Sequence, residues 1–308
     1  MRKKQRIDDE IDFIEKVKRH TIIAMFSDDY LMETLVLKGG NAMDVVYKVA
    51  ERASIDIDFS MGLEFTKDQL PTIEARIRTV LSDTFREIGY VVFDTKFVER
   101  PRDLPKDLET CWGGYRINFK VIEADLYDKN PDNLEFLRRN ARIVGGDRKK
   151  VFQIDISKFE YCEEKAEREL DGFTVFVYTP RMLVFEKVRA ICQQMPMYRE
   201  IVCSATFSSR ARDFFDIYIL LNRFPLDLEA DENVALLKKI FEIKRVPIEF
   251  ILQIRNYRDY HRLGYDALKD TVKAGQQLKD FDFYFDYVVE RLENMPLKTP
   301  SGSIISIF

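Results

Sequence analysis

The chain has 308 residues, 46% of them hydrophobic and 33% charged, and a net charge of −4. That length allows one large domain or two ordinary ones with a real apolar core. The slightly acidic balance excludes a whole-surface attraction to nucleic acid or membrane, so any such contact needs a local basic patch. The four cysteines, Cys111, Cys162, Cys192 and Cys203, form no CxxC pair. Their scatter argues against a zinc site or disulfide framework and favours a reducing compartment. His20 and His261 are too widely separated to suggest a histidine metal cluster. Acidic Asp8, Asp9, Glu10 and Asp12 follow the basic N-terminus with no signal-peptide core, and no apolar run is long enough to span a bilayer. The expectation is a cytoplasmic protein without membrane contact.

In chain order, Ile7 to Met25 shows helical spacing, and Leu35-Val36-Leu37 is a short apolar strand that stops at Gly39-Gly40. Asn41 to Ala50 reads as a helix, with Ala42, Val45, Val46 and Val49 on one side. Ile55 to Ser60 returns to strand alternation. Thr66 to Gly89 is a second helix, with Thr66 as N-cap and Gly89 as stop. Strand-like runs follow at Tyr90 to Phe97, Gly114 to Glu123, Val151 to Ser157 and Phe173 to Tyr178. From Thr179-Pro180 onward the signal is helical, near Arg181 to Met195, Ser209 to Arg223, Asn233 to Ile243, Ile248 to Arg255 and Lys279 to Glu293. The tail after Pro296 reads as loop. The composition shift puts a domain boundary between 179 and 180, giving a mixed α/β (α+β) part, 1–179, and a helical part, 180–308.

The chemistry concentrates in Leu35 to Ser60. On a strand, residues two apart share a face, so Asp56 and Asp58 project together while Ile55, Ile57 and Phe59 face a core. Like charges that close cost free energy unless a cation neutralises them. Paired hard oxygen ligands suit Mg²⁺, with Mn²⁺ as a substitute, held by carboxylates plus substrate phosphates. Gly39-Gly40 offers phosphates a backbone without side chains in the way. Asp155 in Ile154-Asp155-Ile156 is the preferred third carboxylate, because an acid between two core-type isoleucines needs a partner. Asp125 is its rival.

Strand, glycine pair, helix and Asp-x-Asp strand form the order of polymerase-β-like nucleotidyltransferases, and four pieces narrow the match. They are Lys38-Gly39-Gly40-Asn41-Ala42, Arg52-x-Ser54-x-Asp56-x-Asp58-Phe59, Glu186-Lys187-Val188-Arg189-Ala190 and Arg212-Asp213-Phe214-Phe215-Asp216-Ile217. Together they resemble the AbiEii/AbiGii-type nucleotidyltransferase toxins of type IV toxin–antitoxin pairs, over residues from about 35 to 217. The resemblance implies a mixed-sheet nucleotidyltransferase core followed by a helical domain. It also implies an NTP substrate, a divalent metal on Asp56, Asp58 and a third carboxylate, and the triphosphate on Lys38, Gly39, Gly40, Ser54 and Lys187. Lys187 and Asp213 would close over the strand carboxylates from the helical half, with Asp213 orienting Lys187 or the incoming hydroxyl. Ser54 shares the face of Asp56 by alternation. The implied partners are a tRNA 3′ end as acceptor, with a protein side chain as alternative, and an antitoxin encoded nearby. The implied outcome is a translation block, and the implied setting is phage defence. Asn41 stands where many relatives carry a small hydroxyl residue, and Asp44 where a basic or apolar residue is more usual.

A non-catalytic nucleotide-binding interaction module that keeps the fold is a further alternative, and plainer readings compete at each position. Lys187 reads equally as a solvated helix residue paired with Glu186, and Asp213 and Asp216 as partners of Arg210 and Arg212. Two local patches could serve RNA. One is the basic segment Arg138 to Lys150, and the other is Lys244-Arg245 followed by Arg255 to Arg262 with Tyr257, Tyr260 and His261.

Overall fold

The computed structural model describes residues 2–144, 149–203, 207–273 and 275–297. The chain divides into two compact units: Met1–Val46, Ser54–Pro105 and Gly113–Val177 in the first, and Tyr47–Ala53, Lys106–Trp112 and Tyr178–Phe308 in the second. A division by chain order alone makes no provision for the two short segments, 47–53 and 106–112, that join the second unit.

The first unit is built on one mixed seven-stranded sheet. Its strands are β1 (Val36–Lys38), β2 (Ile57–Ser60), β3 (Tyr90–Arg100), β4 (Gly114–Glu123), β5 (Phe152–Ser157), β6 (Ala166–Leu170) and β7 (Phe173–Val177). They lie in the order β3-β4-β5-β2-β1-β7-β6. Strands β2 and β5 run parallel, as do β1 and β7, and the other neighbouring pairs are antiparallel. Alternation decides the two faces. Phe152, Ile154 and Ile156 of β5 and Ile117, Phe119 and Val121 of β4 are buried, while Gln153, Asp155, Arg116 and Asn118 between them are half-buried. The helices Arg2–Phe26 and Leu70–Glu87 pack on each other. The rings of Phe119 and Phe152 stack, and Phe13 meets Phe152 edge-on.

Three expectations need correction here, and the sheet holds one strand that the apolar pattern does not mark. The helix after the glycine pair is short: Gly39–Asn41 is α-helical, Ala42–Val46 is π-helical, and the chain then leaves the first unit, with Lys48 at φ 56°. Val45, Val46 and Val49 are β-branched, which lowers their helix propensity. Strand β2 begins at Ile57, so Ile55 is exposed and takes no place in the core. The Thr66 helix starts later, at Leu70 with Pro71 in its first turn; the Thr66 carbonyl accepts from Gln69 and Leu70 N–H, and no Thr66 side-chain cap forms. Strand β6 was missed because Glu167, Arg168 and Glu169 give it no apolar alternation; it lies at the sheet edge, where charged side chains discourage further pairing.

The second unit is helical, with Pro180–Cys192, Ala211–Arg223, Asp231–Glu242 and Phe281–Glu293 as its longer helices and a 3₁₀ run at Ile248–Tyr257. Thr179 caps the first of these, accepting from Met182 N–H. Residues 51–53 pair with 271–273: Ala53 N–H donates to Thr271 O and Lys273 N–H to Glu51 O, with Arg52 opposite Val272. This pairing seats Arg52 in the helical unit. Gly145, Gly146, Arg148 and the tail from residue 298 onward lie outside the described residues.

Candidate active site

The register of the sheet assembles a charged row. Lys38 on β1 stands opposite Asp58 on β2, Asp58 opposite Asp155 on β5, and Asp155 opposite Arg116 on β4. Residues directly opposite on paired strands share a face, so the four side chains leave the sheet on one side. Asp155 thus stands beside Asp58, whereas Asp125 sits in the first turn of the short helix Ala124–Asp128 after β4 has ended. Asp56 and Ser54 precede β2, so strand alternation does not place them on the face of Asp58.

Gly39 packs against this row. It has φ +67°, and a Cβ built there would lie 2.7 Å from Oδ2 of Asp58. Only glycine fits on both counts. Asn41, at the end of the same turn, donates from Nδ2 to the Asp56 carbonyl at 2.6 Å. Lys38 is buried and reaches Ser157 Oγ at 3.1 Å and Glu160 Oε1 at 3.6 Å. Asp44, in the π-helical turn, pairs at 2.7 Å with Lys18, which is fully buried on the first helix. That pair gives the unusual acid at position 44 a structural role.

Arg116 escaped the sequence reading. Its Nε and Nη2 donate to Asp155 Oδ1 and Oδ2 at 2.6 and 2.8 Å. These hydrogen bonds raise the guanidinium pKa; partial burial opposes them, and the charges of Asp155, Asp56 and Asp58 add to them. The only sequence signal was an arginine at an otherwise ordinary polar position of an alternating strand. Among the described residues, no three Asp, Glu, His or Cys side chains form a ready-made metal cluster. The expected trio of Asp56, Asp58 and Asp155 is not preassembled, because Arg116 holds both oxygens of Asp155 and Asp56 lies ahead of the strand. The donor set still suits a hard divalent cation. Two carboxylates stand side by side in register, one of them bound by Arg116, which a cation would have to displace.

In the helical unit, Lys187 and the Arg-Asp-x-x-Asp helix do meet. Lys187 Nζ donates to Asp216 Oδ2 at 2.7 Å and to Asp213 Oδ1 at 3.1 Å. Arg52 binds Asp216 through Nε and Nη2 at 2.8 and 2.6 Å. Lys187 is therefore no solvated helix residue paired with Glu186; it is 4% exposed and held between two carboxylates. Burial alone would lower its pKa, but Asp216 and Asp213 outweigh that and raise it, so the ammonium stays charged. Burial would likewise raise the Asp216 carboxyl, and Arg52 and Lys187 overcome it and hold it low. Arg210 approaches Asp213 at 3.7 Å, while Arg212 turns to the Ala267 carbonyl. His261 is fully buried and accepts the Arg210 N–H at Nδ1; burial pushes its pKa down to about 4, so it is a neutral acceptor at the start of the Ala211–Arg223 helix.

Among the described residues, six arginines of the two basic patches are ion-paired. Arg255 pairs with Glu293, Arg258 with Asp282 and Asp286, and Arg262 with Asp259 and Asp282. Arg138, Arg139 and Arg142 pair with Asp94, Glu135 and Glu123. These six guanidiniums already have carboxylate partners, so they are not free charges for a phosphate backbone. No helix of the described residues is long and apolar enough to cross a membrane.

A sequence profile described as nucleotidyl transferase AbiEii toxin, type IV TA system, matches residues 21–287. Among solved structures, a Helicobacter pylori protein described as a nucleotidyltransferase is similar at 13% identity and TM-score 0.46, covering 91% of this chain and 92% of that one. JHP933 from Helicobacter pylori is similar at 13% identity and TM-score 0.45, covering 92% of this chain and 91% of that one. An antigenic nucleotidyltransferase-like protein from Paracoccidioides brasiliensis follows at 11% identity and TM-score 0.34, over 83% of this chain and 94% of that one. No curated protein sequence matches the chain.

Proposed function

The chain belongs to the AbiEii nucleotidyltransferase toxin family of type IV toxin–antitoxin systems, and from that premise we propose that it transfers a nucleoside monophosphate from an NTP to a tRNA 3′ end, with Mg²⁺ as cofactor. The observation that carries the chemical part is the register of Asp58 with Asp155 beside the Gly39 turn. Asp56, Asp58 and Asp155 would hold the cation, with Mn²⁺ able to replace Mg²⁺. Bound there, the cation neutralises phosphate oxygens at the reacting centre.

The chain's own groups do the rest. Gly39 and Gly40 leave backbone open to the phosphates, and Lys38 supplies a buried positive charge beside them. Asp155 would have to release Arg116, which now binds both of its oxygens, to serve among the groups that would hold the cation. Lys187 contributes a charge that Asp213 and Asp216 keep ionised, the state a phosphate contact needs. Ser54 is a phosphate contact in this reading. The acceptor oxygen attacks the α-phosphorus in line, the bond to the β-phosphate oxygen breaks, and pyrophosphate leaves. The acceptor proton passes to a carboxylate of the sheet. A tRNA closed in this way cannot be aminoacylated, which would block translation and make a cognate antitoxin necessary.

Labelled NTP incubated separately with tRNA and with total cell protein tests the acceptor. Label on the tRNA 3′ end, lost in Asp58→Asn, is the expected outcome; label confined to protein overturns the RNA acceptor and leaves protein nucleotidylation.

A further inference from the structure

We propose that Asn41 is a positioning residue that sets the metal-binding pose of Asp56; the inference rests on the reading of Asp56 as a metal ligand. Asp58 has its place fixed by the sheet, since it lies in β2 with ladder partners on both sides. Asp56 does not, because β2 and its register with β5 begin at Ile57. Asp56 is exposed and lies in a bend ahead of the strand. Its backbone is instead tied to the glycine turn, by the 2.6 Å bond from Asn41 Nδ2 to the Asp56 carbonyl.

Asn41 suits that task. It is fully buried, so its side chain has little freedom. The direction of its amide is settled by its partner: turned over, two oxygens would face each other at 2.6 Å. Its Oδ1 is buried without a hydrogen-bond partner in the protein, so the amide is held in place by the one bond it makes to Asp56. The same three-residue turn touches both acids, since Gly39 lies against Asp58 Oδ2 and Asn41 holds the backbone carbonyl of Asp56. A phosphate group settling on Gly39-Gly40 would therefore lie on the turn that contacts both acids.

The test uses the full chain and Mn²⁺ alone, titrated by electron paramagnetic resonance in the absence of NTP. Asn41→Ser is too short to reach the carbonyl, and Asn41→Asp offers it no donor. Both should weaken Mn²⁺ binding by about three- to tenfold, the worth of one hydrogen bond. Thermal unfolding should place Asn41→Ser close to the wild type, which separates loss of positioning from loss of fold. In turnover, the apparent KM for Mn²⁺ should rise while the KM for NTP at saturating Mn²⁺ stays put. Wild-type Mn²⁺ affinity in Asn41→Ser and Asn41→Asp, with binding lost in Asp58→Asn, overturns the inference and spares the metal site. Wild-type affinity in Asp58→Asn overturns the metal reading itself.

Discussion

Removing Arg52 should unfold the helical unit far more easily than the loss of a surface arginine would. Its guanidinium makes two short bonds to Asp216, and the side chains of Arg52, Asp216 and Lys187 are 10%, 3% and 5% exposed. Taking one partner out of a buried ion pair costs about 3–5 kcal/mol, chiefly because the remaining charge stays buried. Arg52→Ala leaves Asp216 with Lys187, so its cost should fall at the lower end, about 3 kcal/mol. Asp216→Ala takes the carboxylate from both cations and leaves Lys187 with Asp213, which places it near the upper end, about 5 kcal/mol. Arg52→Lys keeps the charge but gives up the two-pronged geometry, a charge-assisted bond worth about 2 kcal/mol. The chain has a single tryptophan, Trp112, and it belongs to the helical unit, with its ring 6.3 Å from that of Tyr198. Urea unfolding followed by tryptophan fluorescence therefore reports on the unit that holds the network. The expected order of loss is Asp216→Ala, then Arg52→Ala, then Arg52→Lys. A cost under about 1 kcal/mol for Arg52→Ala, or a milder effect for Asp216→Ala than for Arg52→Lys, would refute the reasoning.

Gly39→Ala places a Cβ 2.7 Å from Asp58 Oδ2 at φ +67°, so a stability loss of about 1–3 kcal/mol by thermal unfolding and a loss of NTP turnover are expected. Arg116→Met should tighten Mn²⁺ binding by about tenfold, read by calorimetry, because the guanidinium competes for Asp155; weaker binding would show that Arg116 helps the cation. The same network predicts a pH dependence. The pKa of Asp216 is depressed on folding, so its stabilisation is complete above the unfolded carboxylate value of about 4 and is lost as pH falls through the lower folded value. The pKa of Lys187 is raised, so its stabilisation is complete below about 10.4 and is lost as pH rises through the higher folded value. Tryptophan-detected stability should thus be level across neutral pH and fall at both ends, and Asp216→Asn should flatten the acid limb.

Much of the fold was legible in the chain because its strands alternate cleanly. β4 spans the same residues as its apolar pattern, and β5 and β7 begin and end within a residue of theirs. The Pro180 helix announced itself through Thr179 and Pro180, which cap and pre-form its first turn. Local signals failed where packing decides. The helix after Gly39-Gly40 stops at Val46 because the chain there passes into the other unit, and β6 forms from charged residues because a neighbouring strand offers its edge.

The motifs and the residue types of the candidate site are properties of the sequence by itself: a glycine where φ must be positive, acids between apolar neighbours, and a lysine and two aspartates on helical spacing. Only the tertiary structure decided which of them meet. Sheet register set Asp155 and not Asp125 beside Asp58 and brought Arg116 to Asp155, and a short backbone pairing of 51–53 with 271–273 carried Arg52 to Asp216. The reason is physical. Type and spacing dictate what one stretch of chain can do, but charges 39 or 164 residues apart find each other only when hydrogen-bonded strands and buried helices bring them together.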